Sequence, residues 1–145
     1  MLSLSSKGEY GVRAMFEIAK DYKSGPVTIK EIARRQGMSV SYLEQLLNKL
    51  RKAGLIKSQK GPGGGYTLGK KPGDISMGTI LSALEGPVAI TECLNPVKGK
   101  PECSLVEKCV TRLLWQSLGK KIEDFLGTIT LNDLLKEESK LAKQN

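Results

Sequence analysis

Five residues, Gly61-Pro62-Gly63-Gly64-Gly65, limit most strongly what this chain can fold into. Four glycines and a proline do not sit together inside a helix or a central strand: glycine loses too much backbone freedom there, and proline has no N–H to give. Two short runs, LIKSQ and YTLG, flank them. Run, glycine-rich tip and run predict a β-hairpin. A phosphate-binding loop is the competing use of such glycines. It is set aside because no Gly-Lys-Ser/Thr follows and no helix pattern starts after Gly65.

The residues before the hairpin carry helical spacing. In KGEYGVRAMFEIAKDY, Val12, Met15, Ile18, Ala19 and Tyr22 recur on one face, and Ser24-Gly25-Pro26 ends the pattern. Thr28 to Glu31 has the form of a capping box, with Thr28 accepting the Glu31 amide and the Glu31 side chain reaching back. The short helix it opens runs to Arg35, with Ile29, Ile32 and Ala33 inward. Gln36-Gly37-Met38 is a tight turn. Ser39 then caps a third helix reaching Ala53, with Val40, Leu43, Leu47 and Leu50 inward and Gly54 at its end. Helix, short helix, turn, helix and hairpin is the order of a winged helix-turn-helix. The predicted fold class is mainly α with a small β-hairpin wing, followed by a long dimerisation helix.

Charge supports a polyanionic partner for that first half. Residues 1–71 hold 14 Lys+Arg against 5 Asp+Glu, a net of +9. Residues 72–145 hold 9 against 10, a net of −1. Basic surface of this kind neutralises phosphates and releases counterions; a solubilising surface would account for the charge as well, and the winged helix-turn-helix order makes double-stranded DNA the expected partner. Few aromatics disfavour a stacking platform for single strands. On the third helix, Gln45 suits a bidentate pair with adenine and Glu44 can accept from a cytosine amino group. Glu44 is alternatively the partner of Ser41 in a second S-x-x-E pattern; the specificity role is preferred. Ser41 and Tyr42 suit phosphates, and Lys60 suits a narrow minor groove. The predicted DNA-contacting set is Thr28, Ser39, Ser41, Tyr42, Glu44, Gln45, Lys60, Gly61 and Gly63.

The second half opens with a short amphipathic helix from Ser76 to Glu85. Next comes ECLNPVKGKPECSLVEKC, which holds all three cysteines of a chain with no histidine. Three thiols within 17 residues, in a loop with glycine and proline, are not packed as ordinary small hydrophobes. The spacing alone fits an iron–sulfur site, a zinc site of three thiolates and one oxygen, or a thiol switch in which Cys103 pairs with Cys93 or Cys109. From Ser104 onward Val106, Val110, Leu113, Leu114, Leu118, Ile122 and Phe125 form one apolar stripe. A small domain does not need so much apolar face, so this helix is expected to pack against its copy in a homodimer. Thr130-Leu-Asn-Asp133 caps a last helix, with a frayed end in KEESKLAKQN. The expected organisation is 1–71 as DNA-binding domain, 72–102 as connecting helix and cysteine loop, and 103–145 as dimerisation and C-terminal helices.

No apolar run reaches the length of a membrane span, and the first residues lack a signal-peptide pattern, so a cytoplasmic protein is expected. Without histidine, no Cys-His or Ser-His nucleophile pair can form, and no enzymatic activity is expected.

MSVSYLEQLLNKLRKAGLI, then KGPGGGY, the three-cysteine loop, LWQSL and FLGTITLNDLL resemble the Rrf-two family of bacterial winged-helix regulators, and within it the iron–sulfur cluster regulators. The resemblance extends over about the first 135 residues. It implies a homodimeric repressor reading an inverted repeat, with contacts from Ser41, Tyr42, Glu44, Gln45 and, in the wing, Lys60. Arginine usually occupies that last position, and lysine lacks its planar reach. The resemblance also makes an iron–sulfur cluster, in 2Fe–2S form, the leading use of Cys93, Cys103 and Cys109, and control of iron–sulfur assembly or related stress genes the expected output. Two departures stand out. The cysteines are more widely spaced than usual, by nine and five residues. Where those regulators place a ligating histidine, three residues after the last cysteine, this chain has Arg112. The position of Glu9 matches an acidic ligand of nitric-oxide-sensing relatives, which makes Glu9 the expected fourth ligand, with Glu102, Glu107 and an exogenous small ligand as competitors. The rival readings are a metal-free thiol-sensing repressor and an iron–sulfur electron carrier.

Overall fold

The computed structural model describes residues 2–96 and 103–144. Helix α1 is Ser6–Lys20, α2 is Ile29–Gln36 and α3 is Val40–Lys52; strands β1 (Ile56–Gln59) and β2 (Gly65–Leu68) follow. Then come α4 (Met77–Glu85), α5 (Val110–Thr128) and α6 (Leu131–Gln144), with short 3-10 turns at Pro72–Asp74 and Glu92–Leu94. Mainly α with a two-stranded wing is therefore the observed class.

Local chemistry explains the boundaries. Ser5, Thr28, Ser39 and Ser76 each cap a helix by accepting a backbone amide three residues on. Helix α2 ends at Gly37, in the left-handed region at φ 63°, and the Met38 amide closes back on the Ala33 carbonyl at 3.1 Å. Helix α3 ends similarly, with Gly54 at φ 77° and the Leu55 amide on the Leu50 carbonyl at 3.1 Å. The strands pair antiparallel, Ile56 opposite Leu68 and Gln59 opposite Gly65. Val27 adds a bridge to Tyr66, through reciprocal hydrogen bonds of 3.0 and 2.8 Å, so the wing is fastened to the chain entering α2.

The core joins Met15 and Ile18 of α1, Ile32 of α2, Leu43, Leu46, Leu47 and Leu50 of α3, Leu55 and Ile56, Ile80 and Leu84 of α4, and Leu131 of α6. Two positions differ from the sequence reading. Leu46 is buried, whereas Val40, in the first turn of α3, is 40% exposed because the helix start overhangs the core. Helix α1 approaches α4 through Gly8 and Gly11: a Cβ at Gly11 would collide with the Leu84 side chain, and one at Gly8 would lie 2.9 Å from Leu81.

The capping box at Thr28 is half formed. Thr28 accepts the Glu31 amide at 3.2 Å, but the Glu31 carboxylate takes hydrogen bonds from Arg34 at 2.6 Å and Arg35 at 2.9 Å instead. Charge-assisted bonds to guanidinium outcompete a neutral amide. At α6 the box is complete: Asp133 receives the Thr130 amide at 2.9 Å, and Thr130 receives the Asp133 amide at 3.2 Å. Helix α6 then continues to Gln144 without the expected fray, and Glu138 lies 3.7 Å from Lys20 of α1.

Helix α5 starts at Val110, later than Ser104, and buries only Gly119. Val110, Leu113, Leu114 and Phe125 are 57–78% exposed. Its link to α6 is pinned to the start of α4 by the Met77 amide on the Ile129 carbonyl (2.8 Å) and the Leu131 amide on the Ile75 carbonyl (3.0 Å).

Candidate nucleic-acid interface and cysteine site

Because Ser39 is the cap of α3, its Oγ accepting the Tyr42 amide at 3.1 Å, Ser41 is the second helical residue and the Ser41–Glu44 capping alternative falls away. Ser41, Glu44 and Gln45 instead face Lys60 across an open groove of about 660 Å³ between α3 and the wing. The structure thus gathers four predicted DNA contacts on one surface. Asn48 and Arg51 from the next turns of α3, Ser58 of β1 and Tyr66 of β2 complete the groove. Ser58 and Tyr66 are direct cross-strand partners. Their place was recoverable from hairpin pairing, once the wing was set beside α3. Arg51 Nη2 donates to Asn48 Oδ1 at 2.8 Å, which leaves the Asn48 NH₂ to donate to an acceptor such as a phosphate or a base oxygen.

The other predicted contacts lie around this groove or apart from it. Gly61 and Gly63 are exposed at the wing tip with φ of 89° and 73°, values that leave this turn to glycine. Thr28 and Ser39 use their oxygens as caps, but each hydroxyl keeps its own proton for a phosphate oxygen. Tyr42 turns toward α1: its ring meets Tyr10 edge-on at 6.0 Å and its hydroxyl lies 3.4 Å from Ser6 Oγ.

Behind the groove, charged side chains lock α1 to α2. Glu17 is 2% exposed and is met by Lys20 at 2.9 Å, by Arg35 at 3.2 Å and by the Gln36 amide. Burial pushes its carboxyl up, and the hydrogen bonds from Lys20, Gln36 and Arg35 outweigh that and hold it below the ordinary range. Arg34 and Arg35 hold the Glu31 carboxyl at about 2. Arg13 reaches from α1 to the last residue of α2, donating to Gln36 Oε1 at 2.7 Å and to its carbonyl at 3.1 Å.

Glu9, one turn before Arg13, is an exposed partner of that guanidinium at 3.9 Å. The cysteines are unpaired. Cys93 sits on the 3-10 turn that packs against α5, with its sulfur 3.1 Å from the Thr91 hydroxyl. Cys109 is the residue that precedes α5; its sulfur is 3.1 Å from the Thr111 hydroxyl. The Thr111 hydroxyl and then the Arg112 amide hold its thiol below the usual value. Cys103 is exposed. Among the described residues no three Cys, Asp or Glu side chains converge as a metal site, so Glu9 and the cysteines are not brought together within one chain. Glu107 is exposed beside them, and Glu102 lies outside the described residues.

Comparison with known proteins now decides the family. The model of the Rrf2 family, described as an iron-dependent transcriptional regulator, matches residues 4–137. The chain belongs to the Rrf2 family. It is 45% identical over 140 residues to the HTH-type transcriptional regulator IscR of Vibrio campbellii, covering 97% of this chain and 81% of that protein. The solved structure of T. potens IscR has a TM-score of 0.76 at 45% identity, covering 94% of this chain and 88% of that one. CymR, the global cysteine regulator of B. subtilis, has a TM-score of 0.77 at 39% identity, covering 94% and 98%. This Rrf2 protein is accordingly a DNA-binding transcriptional regulator with a winged helix-turn-helix. Within that element the groove between α3 and the wing brings Ser41, Gln45, Asn48 and Lys60 to one open surface. Among the described residues no helix is long and apolar enough to cross a membrane.

Proposed function

We propose that this protein is a cytoplasmic, homodimeric repressor that reads an inverted-repeat operator and tunes its grip through an iron–sulfur cluster, in 2Fe–2S form, controlling iron–sulfur assembly or related stress genes. The observation that carries this reading is the set of three free thiols around the start of α5, a helix whose apolar side chains are open. Exposed apolar stripes of this size mark protein contacts, and a second copy of the same helix is the natural cover.

The donor set fits such a cluster: three soft sulfur ligands, no disulfide, a Cys109 thiol held below its usual value, and no histidine or fourth cysteine for the remaining place. Cys93, Cys103 and Cys109 would hold it, with Glu9 of the same or the second chain completing the set. An iron–sulfur cluster bound there supplies a link that depends on iron, sulfide and redox state. The chain's own residues carry the consequence. Drawing the Glu9 carboxylate toward the cysteines would tie the start of α1 to the cysteine end, and Arg13 of the same helix holds Gln36 at the helix-turn-helix turn. The orientation of α3 is thereby linked to the cysteine end. Such coupling requires only that the two arrangements differ in ligand-binding free energy.

The test is the absorption spectrum with iron and sulfide analysis of protein purified without oxygen, beside Glu9→Ala. Charge-transfer bands with near-equal iron and sulfide support the cluster; their shift or loss in Glu9→Ala places Glu9 among the ligands. A colourless protein that resists reconstitution rejects it. A second reading, a metal-free thiol switch, is favoured by the exposure of Cys103 and the lowered thiol of Cys109. It predicts colourless protein whose DNA affinity changes with peroxide and is restored by thiol reductant.

A further inference from the structure

The chain has five arginines, and four of them have clear partners. Arg13 binds Gln36, Arg34 binds Glu31, Arg35 binds Glu17, Asp21 and Glu31, and Arg51 binds Asn48. Among the described residues Arg112 is the exception: its Nε is buried and meets no hydrogen-bond acceptor. Guanidinium stays charged, donates only, and is costly to withdraw from water with a donor unmet. The exception sits at the third residue of α5, one turn past Cys109, and the 3-10 turn carrying Cys93 packs on the same helix. The unmet donor therefore lies on the helix turn beside the cysteines.

An iron–sulfur cluster held by three thiolates and a carboxylate is anionic, and its sulfurs accept N–H hydrogen bonds. We propose that Arg112 is a positioning residue of the cluster site, its Nε–H donating to the Cys109 sulfur or a bridging sulfide while its charge offsets that of the cluster. This rests on the cluster reading above. Arg112 has no lone pair to offer iron, so it is not a ligand. A donor and a positive charge beside the sulfurs favour the reduced, more negative form and hold the cluster against loss. Arg112 thus sets how readily the protein is reduced and how long it stays loaded.

The experiment compares anaerobically purified wild type, Arg112→Lys and Arg112→Leu by iron and sulfide content, midpoint potential and the rate of bleaching by an iron chelator. None of these readouts involves DNA. Arg112→Leu should keep the wild-type iron-to-sulfide ratio, take a more negative potential and lose its cluster about tenfold faster or more. Arg112→Lys, which keeps the charge but not the Nε donor, should fall between them. If Arg112→Leu fails to load, the lysine variant carries the test. Unchanged potential and bleaching rate in the variants overturn the proposal. So does weakened self-association at unchanged potential, which would put the acceptor on the second copy. A wild-type protein that never takes up iron and sulfide removes the cluster reading itself, a distinct result.

Discussion

Helices α3 and α5 are both amphipathic, with 13 and 19 residues, yet α3 buries Leu43, Leu46, Leu47 and Leu50 whereas α5 buries only Gly119. The same contrast extends to their polar groups. Around α3, the cap at Ser39, the Gly54 terminus and the Glu17–Arg35–Gln36 cluster are satisfied within one chain. Around α5, the thiols are unpaired, and among the described residues no metal-holding group of Cys, Asp or Glu forms and Arg112 Nε meets no acceptor. A chain that finishes its DNA-reading end alone and leaves its other end open can make the state of the open end depend on something outside itself. That is the physical requirement for a sensor.

The largest effect that bears on this contrast is expected in the finished half. Leu47→Ala, at a position with no exposure, should lower unfolding free energy by about 2–5 kcal/mol in urea titrations. Phe125→Ala, at a position 63% exposed, should change the stability of dilute protein by no more than about 0.5 kcal/mol. Its effect should appear in sedimentation, as weaker self-association. Equal destabilisation by the two, with unchanged association, would break the comparison.

The same contrast governs what could be read from residues alone. The hairpin, the Gly37 turn and the caps at Thr28, Ser39 and Thr130 were legible because each depends on residues close by in sequence, three to five positions away for the caps and turn and up to twelve for the hairpin. Glu31 departed from its capping role because Arg34 and Arg35 lie on the following turn, a competition that spacing does not rank. Leu46 and Val40 exchanged roles because the α3 start projects past the core, which only tertiary packing decides. The groove was partly legible: Ser41, Glu44, Gln45 and Lys60 were predicted, while Ser58, Tyr66 and Arg51 join them only through the placement of wing against helix. Glycines 8 and 11 gave no helical signal, yet they set how closely α1 meets α4. The cysteine site is where local reading stops, since its donors do not converge within one chain.

Glu17 gives the next largest effect. Glu17→Ala leaves Arg35 and Gln36 without their buried acceptor and should cost about 3 kcal/mol. Its folded carboxyl is held below the ordinary value, as is that of Glu31 at about 2 against 4.5. A lowered folded pKa adds stability that is complete above the unfolded value and disappears as pH falls through the folded one. Urea midpoints should therefore decline between about pH 4.5 and 2, and Glu31→Gln should flatten part of that decline. A pH profile identical in wild type and Glu31→Gln would contradict the Arg34 and Arg35 contacts.

Within the groove the effects are of binding. Gln45→Ala should cost about 1–3 kcal/mol on the preferred operator and relax preference at one base pair, if Gln45 reads an edge. Lys60→Ala should weaken binding evenly across sequences and reduce the salt slope by about 1. Fluorescence anisotropy over a salt series with single-base operator variants separates the two. The reverse pattern, sequence preference lost with Lys60 and salt slope with Gln45, would reassign which side of the groove reads bases.

The smallest effect on stability falls at the residue that sharpens the comparison most. Glu9 is exposed and meets Arg13 only at 3.9 Å on its own helix. An exposed i,i+4 pair contributes about 0.3–0.5 kcal/mol, so Glu9→Gln should shift the urea midpoint of metal-free protein barely above error. Arg13 keeps its two bonds to Gln36 without Glu9, so metal-free protein should also bind operator as wild type does. Any larger change must then come from the cysteine end. A variant indistinguishable from wild type without iron, yet altered in spectrum and operator affinity once iron and sulfide are supplied, would show Glu9 working as a hinge between the open end of the molecule and its finished one. A variant alike in both states would leave Glu9 a solvated helix carboxylate, with α1 outside the path from cysteines to DNA.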